Sequence, residues 1–134
     1  MSNDLIAAAA RARDNAVASF SGFKVGAAIQ TAGGSIFTGC NIENASLGLT
    51  VCAERVALWK AISDGERAFT AIAVISGSEP PATPCGACRQ LLWEYCGNIP
   101  ILLASVGGTS RSVSLAELLP QPFGSDYLST GKSD

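Results

Sequence analysis

Cys52-Ala53-Glu54 is followed about thirty residues later by Pro84-Cys85-Gly86-Ala87-Cys88. Three cysteines and one acid in this pattern suit a single zinc ion. Three thiolates leave the fourth position of a tetrahedral zinc open, and an open position separates catalytic from structural zinc. A carboxylate two residues from a ligand is placed to move protons. Zinc lowers the pKa of bound water from about 16 toward 7, so the chemistry promised is hydrolysis by activated water near neutral pH. The chain contains no histidine. A metal site must therefore be built from Cys and carboxylates, and Glu or Asp must carry the protons.

Both clusters fall where a loop enters a predicted helix. Helix amino termini carry partial positive charge and free N–H groups, which favour thiolate over thiol. Arg55 and Arg89 stand close behind ligands. They are expected to hydrogen-bond to sulfur and moderate the net negative charge of three thiolates on a divalent ion. Other readings exist for each feature. C-x-x-C alone also fits half of a structural zinc site or a redox pair. A structural four-sulfur site would recruit Cys40 or Cys96, but such ligands usually come in two close pairs, and Cys52 has no near neighbour. Cys40 and Cys96 read instead as buried free thiols. Glu54 alone would be an ordinary acid at a helix start.

The elements that must position these residues follow from periodicity. An Ala-rich helix is expected from Asp4 to about Ser19, with Leu5, Ala9, Ala12 and Ala16 on one stripe. Lys24–Thr31 and Ser35–Glu43 alternate as strands joined by the Ala32-Gly33-Gly34 turn. A helix runs from Cys52 to Ser63, stopped by Asp64-Gly65. Phe69–Ser76 is an apolar run typical of an interior strand. A helix from Cys85 to about Tyr95 and a strand over Ile99–Ala104 come next. Gly107-Gly108 turns the chain directly into Ser110–Val113, which favours an adjacent antiparallel strand. Ser114 and Glu117 have capping-box spacing for a last short helix before Pro120. The expected fold is α/β: three α-β-α layers around a five-stranded mixed sheet. Residues 1–128 form one domain in this reading, with 129–134 as a disordered tail.

Composition bounds the partners. A chain of 134 residues, 48% of them hydrophobic, suits one core. The net charge is −2 with no Lys/Arg cluster, which favours a small molecule over a polynucleotide. No apolar run approaches the roughly 20 residues needed to cross a bilayer, so no membrane partner is expected. The N-terminus places acid before base, the reverse of a secretory signal. Five cysteines, an odd number, argue against a disulfide framework. A cytoplasmic location is expected.

The paired motifs resemble the signature of zinc-dependent base deaminases. GCNIENAS (39–46), CAER (52–55), PCGACRQ (84–90) and ELLPQPFG (117–124) occur in one order. Together they resemble the cytidine deaminases of the short, homotetrameric type, from about Phe20 to Leu128. The resemblance implies one zinc per subunit on Cys52, Cys85 and Cys88, with Glu54 as proton shuttle. Asn41 and Glu43 would bind the sugar 3′-hydroxyl, Phe23 would pack on the pyrimidine, and the Ala53 N–H would read the base O2. Phe123 would enter a neighbouring subunit's site, so the sites would lie at subunit interfaces of a homotetramer. The implied substrates are the nucleosides cytidine and 2′-deoxycytidine. Two departures bear on substrate choice. The segment Val17–Phe23 keeps only Ser21 and Phe23 of a Y-x-P-Y-S-x-F pattern, with Phe20 replacing a Tyr, and Leu47 replaces an aromatic. They keep open a deaminase of another aminated heterocycle or modified nucleoside of the blasticidin type. A noncatalytic zinc-stabilised domain is the third reading.

Overall fold

Alternating apolar residues sort the core onto two sides of one sheet in the computed structural model, which describes residues 2–129. The strands are β1 (Val25–Thr31), β2 (Ile36–Cys40), β3 (Phe69–Ser76), β4 (Pro100–Ser105) and β5 (Ser110–Ser114), in the order β2-β1-β3-β4-β5. Among the described strands, only β3 and β4 pair in parallel. Their connection is a crossover through a helix, as parallel neighbours require.

On one side, Ala27, Ile29, Ile72, Val74, Ile101 and Leu103 pack against two helices. These are α2 (Ala53–Ser63), through Ala57, Leu58 and Ala61, and α3 (Gly86–Cys96), through Leu92. On the other side, Ala28, Ala73, Ile75 and Ala104 receive Leu5, Ala8 and Ala9 of α1 (Ser2–Arg13). The period of two in the strands thus produces the expected three α-β-α layers around a mixed five-stranded sheet. The antiparallel β4–β5 pair and the Ser114–Glu117 capping box are present, the latter opening α4 (Leu115–Leu118).

Several boundaries differ from the sequence reading. α1 ends at Arg13, six residues before Ser19. Asp14 and Asn15 form a turn, since their side chains favour local alternatives to helix. Beyond it Val17 forms a parallel bridge with Ile42, its N–H reaching Asn41 O at 3.0 Å and its carbonyl taking Glu43 N at 2.8 Å. β2 stops at Cys40, so Asn41 and Glu43 sit on a loop that pairs with this segment. A 3-10 turn at Leu47–Leu49 and a last helical turn, α5 (Asp126–Ser129), had no sequence signal. Ser129 belongs to that turn, and the rest of the expected tail lies outside the described residues.

One glycine fixes how closely the sheet meets the site-bearing helix. A Cβ on Gly39 would lie 2.6 Å from Ala53 O and 2.6 Å from Ala57 N. Those contacts are backbone, so α2 itself would have to move. Gly39→Ala should therefore cost about 1–3 kcal/mol or more in urea unfolding. Because Ala53 lies between Cys52 and Glu54, the same variant should also hold zinc less tightly. Unchanged stability would show that α2 shifts freely.

Candidate metal centre and adjoining cavity

Cys52 is the N-cap of α2 and Cys85 the N-cap of α3, with Cys88 in the first turn of α3. Packing of both helices on one side of the sheet brings these two helix starts together. The three Sγ atoms all lie within 4.8 Å of one another, and Cys52 and Cys85 are 3.9 Å apart. A tetrahedral ion with Zn–S bonds of about 2.3 Å sets its sulfurs about 3.8 Å apart. Soft thiolates in that arrangement fit zinc. Cys40 and Cys96 are only half-buried and stand outside the cluster. Burial pushes the Cys96 thiol up to about 12.

The cluster is electrostatically uneven. Cys88 donates to Cys52, and Arg55 Nη2 donates to Cys52 Sγ at 3.2 Å; together they pull the Cys52 thiol down to about 5. Cys88 is pushed far above its ordinary value by donating that hydrogen bond and by burial. Arg55 thus occupies the place expected for it. Arg89 does not. Its Nε donates to Pro84 O at 2.7 Å, Nη1 to Leu118 O at 2.8 Å and Nη2 to Thr83 Oγ1 at 2.8 Å. Arg89 lies four residues beyond Cys85 and so on the same helix face, but these three acceptors claim its donors. Arg89 instead ties the loop before Cys85 to the end of α4.

A cavity of about 190 Å³ opens beside the thiols, lined among others by Phe23, Asn41, Thr50, Ala53, Glu54 and Ser76. Cys52 and Cys85 form part of its wall. Glu54 is 5% exposed. Burial raises its pKa to about 7, and the Cys52 charge pushes the same way. A group titrating there holds or releases a proton at little cost near neutral pH. Ala53 opens α2, so its N–H has no partner within the helix.

Asn41 and Glu43 are both engaged with the chain before β1. Asn41 Nδ2 donates to Phe23 O at 2.7 Å, and its Oδ1 accepts Val25 N at 2.8 Å. A carboxamide retains one N–H and one lone pair after those two bonds. Glu43 lies in a neighbouring groove with Phe20, Ser21, Leu47 and Thr50, and Thr50 lines the cavity as well. Three donors reach the Glu43 carboxylate: the Ser21 hydroxyl and the N–H groups of Ser21 and Phe20. The Ser21 hydroxyl leads them in holding the Glu43 pKa below the usual carboxylate value.

Phe123 stands apart from this cavity. It is 54% exposed and stacks on Tyr127 with ring centroids 5.3 Å apart. Gln90 Nε2 donates to its carbonyl at 2.6 Å. The sequence reading missed this anchoring by Arg89 and Gln90. It also missed Thr50, Ser76 and Thr83 in the cavity wall, for which no local pattern gave a signal.

Comparison with known proteins agrees with this chemistry. Residues 2–101 match the family model described as "Cytidine and deoxycytidylate deaminase zinc-binding region". A curated cytidine deaminase of Sporosarcina psychrophila is 46% identical over 126 residues, covering 93% of this chain and 93% of that protein. The crystal structure of cytidine deaminase from Burkholderia pseudomallei superposes with a TM-score of 0.88 at 46% identity, covering 92% of this chain and 99% of that one. Blasticidin-S deaminase of Bacillus cereus is 35% identical over 107 residues, covering 74% of this chain and 76% of that protein. With its three thiols gathered at two helix starts and its family match spanning both, this chain belongs to the zinc-binding cytidine and deoxycytidylate deaminases.

Proposed function

We propose that this chain deaminates cytidine and 2′-deoxycytidine hydrolytically to uridine and 2′-deoxyuridine, releasing ammonia. The observation that carries this reading is the convergence of Cys52, Cys85 and Cys88 beside a cavity whose wall includes the buried Glu54. Cys52, Cys85 and Cys88 would hold zinc, which when bound would supply water activated at neutral pH. The chain's own groups do the rest. Glu54 would carry both protons that the attacking water loses, passing the first to the ring nitrogen of the base and the second to the departing amino group. The Ala53 N–H, free at the start of α2, meets the base O2. Phe23 packs on the pyrimidine. Asn41, with an N–H and a lone pair to spare, and Glu43, with carboxylate capacity beyond its three donors, bind the sugar 3′-hydroxyl. Arg55 offsets negative charge on Cys52.

A nucleoside fits better than a nucleotide. Among the described residues, no Lys or Arg lines the cavity or the Glu43 groove, so nothing there offsets a phosphate. Absorbance and ammonia assays with the zinc-loaded protein should show turnover of cytidine and 2′-deoxycytidine. Cytidine 5′-phosphate should react far more slowly. Zinc-loaded protein with no turnover of either nucleoside would defeat the reading.

The likeness to blasticidin-S deaminase and the small Leu47, 74% exposed at the Glu43 groove, favour testing a second substrate class. A panel of aminated heterocycles and modified nucleosides, ranked by kcat/KM, separates the two. The working unit in this reading is a homotetramer with sites at subunit interfaces. Exposed Phe123, outside its own chain's cavity wall, and the exposed apolar Leu49, Tyr127 and Leu128 support that assembly. Sedimentation at the monomer mass under assay conditions would overturn it. The reading places the enzyme in pyrimidine salvage in the cytoplasm, which cell fractionation checks. No helix among the described residues is long and apolar enough to cross a membrane.

A further inference from the structure

Ser21 has no place in the chemistry above, yet it connects two residues that do. Its hydroxyl donates to the Glu43 carboxylate, and its Oγ accepts the N–H of Phe23 at 3.0 Å. The carbonyl of Phe23 is held from the other direction by Asn41 Nδ2. Both backbone polar groups of Phe23 are therefore fixed, one through Ser21 and one through Asn41. Gly22 between them has φ +71°, a conformation that lets the chain reverse so that Ser21 Oγ faces the Phe23 N–H. Ser21 itself lines the groove with Glu43, whereas Phe23 lines the cavity with Cys52 and Glu54.

A hydroxyl suits this position because it donates and accepts at once. Its donation to an ionised carboxylate strengthens its acceptance from the next N–H, since chained hydrogen bonds polarise one another. Without it, Glu43 keeps the N–H groups of Phe20 and Ser21, at 2.9 Å and 3.0 Å, so the segment stays in place. What is lost is specific: the Phe23 N–H has no partner, and its backbone is held only through the carbonyl.

We propose that Ser21 is a positioning residue, whose hydroxyl couples the Glu43 carboxylate to the Phe23 N–H and so fixes the Phe23 ring at the wall of the zinc-site cavity. The kinetic part of this proposal rests on reading that cavity as a cytidine site; the structural part does not. Ser21 touches no reacting atom. Its effect falls on how the base is held, and so on KM more than on kcat.

The test begins with Ser21→Ala in the substrate-free, zinc-loaded protein. Hydrogen exchange at the Phe23 amide should be about tenfold faster than in the parent, the loss of one hydrogen bond. Amides of β3 should exchange at the parental rate. For cytidine, KM should rise about tenfold with kcat little changed, and Ser21→Thr, which keeps the hydroxyl, should restore both measurements. The same rise should appear with 3′-deoxycytidine, since the ring serves the base whatever the sugar carries. In a Phe23→Ala background, Ser21→Ala should alter KM by less than about twofold, because the two residues act through one contact. An unchanged Phe23 amide in Ser21→Ala, or no recovery in Ser21→Thr, overturns the proposal. So does a KM effect confined to substrates with a 3′-hydroxyl, which would place Ser21 in sugar binding. If the parent turns over no nucleoside, the functional reading fails while the exchange measurement still decides the role of Ser21.

Discussion

Glu54→Gln should keep one zinc per chain and deaminate cytidine about 10²–10⁴-fold more slowly than the parent. The expectation comes from a shortage of other proton carriers. The chain has no histidine, and the titratable groups in the cavity wall are Cys52, Cys85 and Glu54. If the thiols hold the metal as proposed, Glu54 alone among the described cavity residues would be left to move protons between water, ring and leaving group. Its burial places its pKa at about 7, where both giving and taking a proton are inexpensive. Glutamine preserves the shape and hydrogen-bonding reach of the side chain and removes only the exchangeable proton. The loss should therefore appear in kcat, with zinc content and thermal stability close to those of the parent. Glu54→Asp gives the companion result. It keeps the acid but withdraws it by one methylene, and a misplacement of about 1 Å costs on the order of 10²-fold. A Gln variant that retains more than a tenth of parental kcat would remove Glu54 from the proton path.

The parts of this site that were legible in the sequence are those set by short-range geometry. Cys85 and Cys88 share one helical turn, and Cys52 and Glu54 share the start of another. Their spacing states their proximity. Alternation over Lys24–Thr31 and Ser35–Glu43, with the unbroken apolar run of Phe69–Ser76, likewise pointed to a sheet with helices on both faces, which the two clusters bear out. What was not legible depends on how elements meet. Arg55 and Arg89 looked alike in sequence, but only Arg55 reaches a sulfur. Both lie one helical turn beyond a candidate ligand, Arg55 three residues after Cys52 and Arg89 four after Cys85, but the donors of Arg89 go to Pro84 O, Leu118 O and Thr83 Oγ1. The Ala-rich run suggested helix as far as Ser19, because intrinsic propensity is blind to tertiary pairing. The pairing of Val17 with Asn41 and Glu43 claims those residues instead. The same long-range pairing put Ser21 against Glu43, a contact between residues 22 positions apart that no local pattern announces.

Cys88→Ala should be isolated with little or no zinc, show no measurable deamination and melt well below the parent. Cys88 is the fully buried member of the cluster, at 0% exposure. Its loss leaves Cys52 and Cys85, one sulfur from each helix start, and two thiolates hold zinc far less tightly than three. With ligands from α2 and α3, the metal would also tie together the two helices that cover one side of the sheet. Its binding free energy is then partly folding free energy. An ion present at about 1,000 times its Kd stabilises the folded state by about 4 kcal/mol. For a domain of this size that corresponds to roughly 10–20 °C in Tm. Stripping the parent with a chelator should lower its Tm by a similar amount, and added zinc should restore both Tm and activity. The Cys88→Ala protein should show neither response. Stoichiometric zinc in Cys88→Ala would contradict the assignment of Cys88 as a ligand. A chelator that abolished activity without moving Tm would confine the metal to chemistry and assign the joining of the two helices to the apolar packing of Ala57, Leu58 and Leu92 alone.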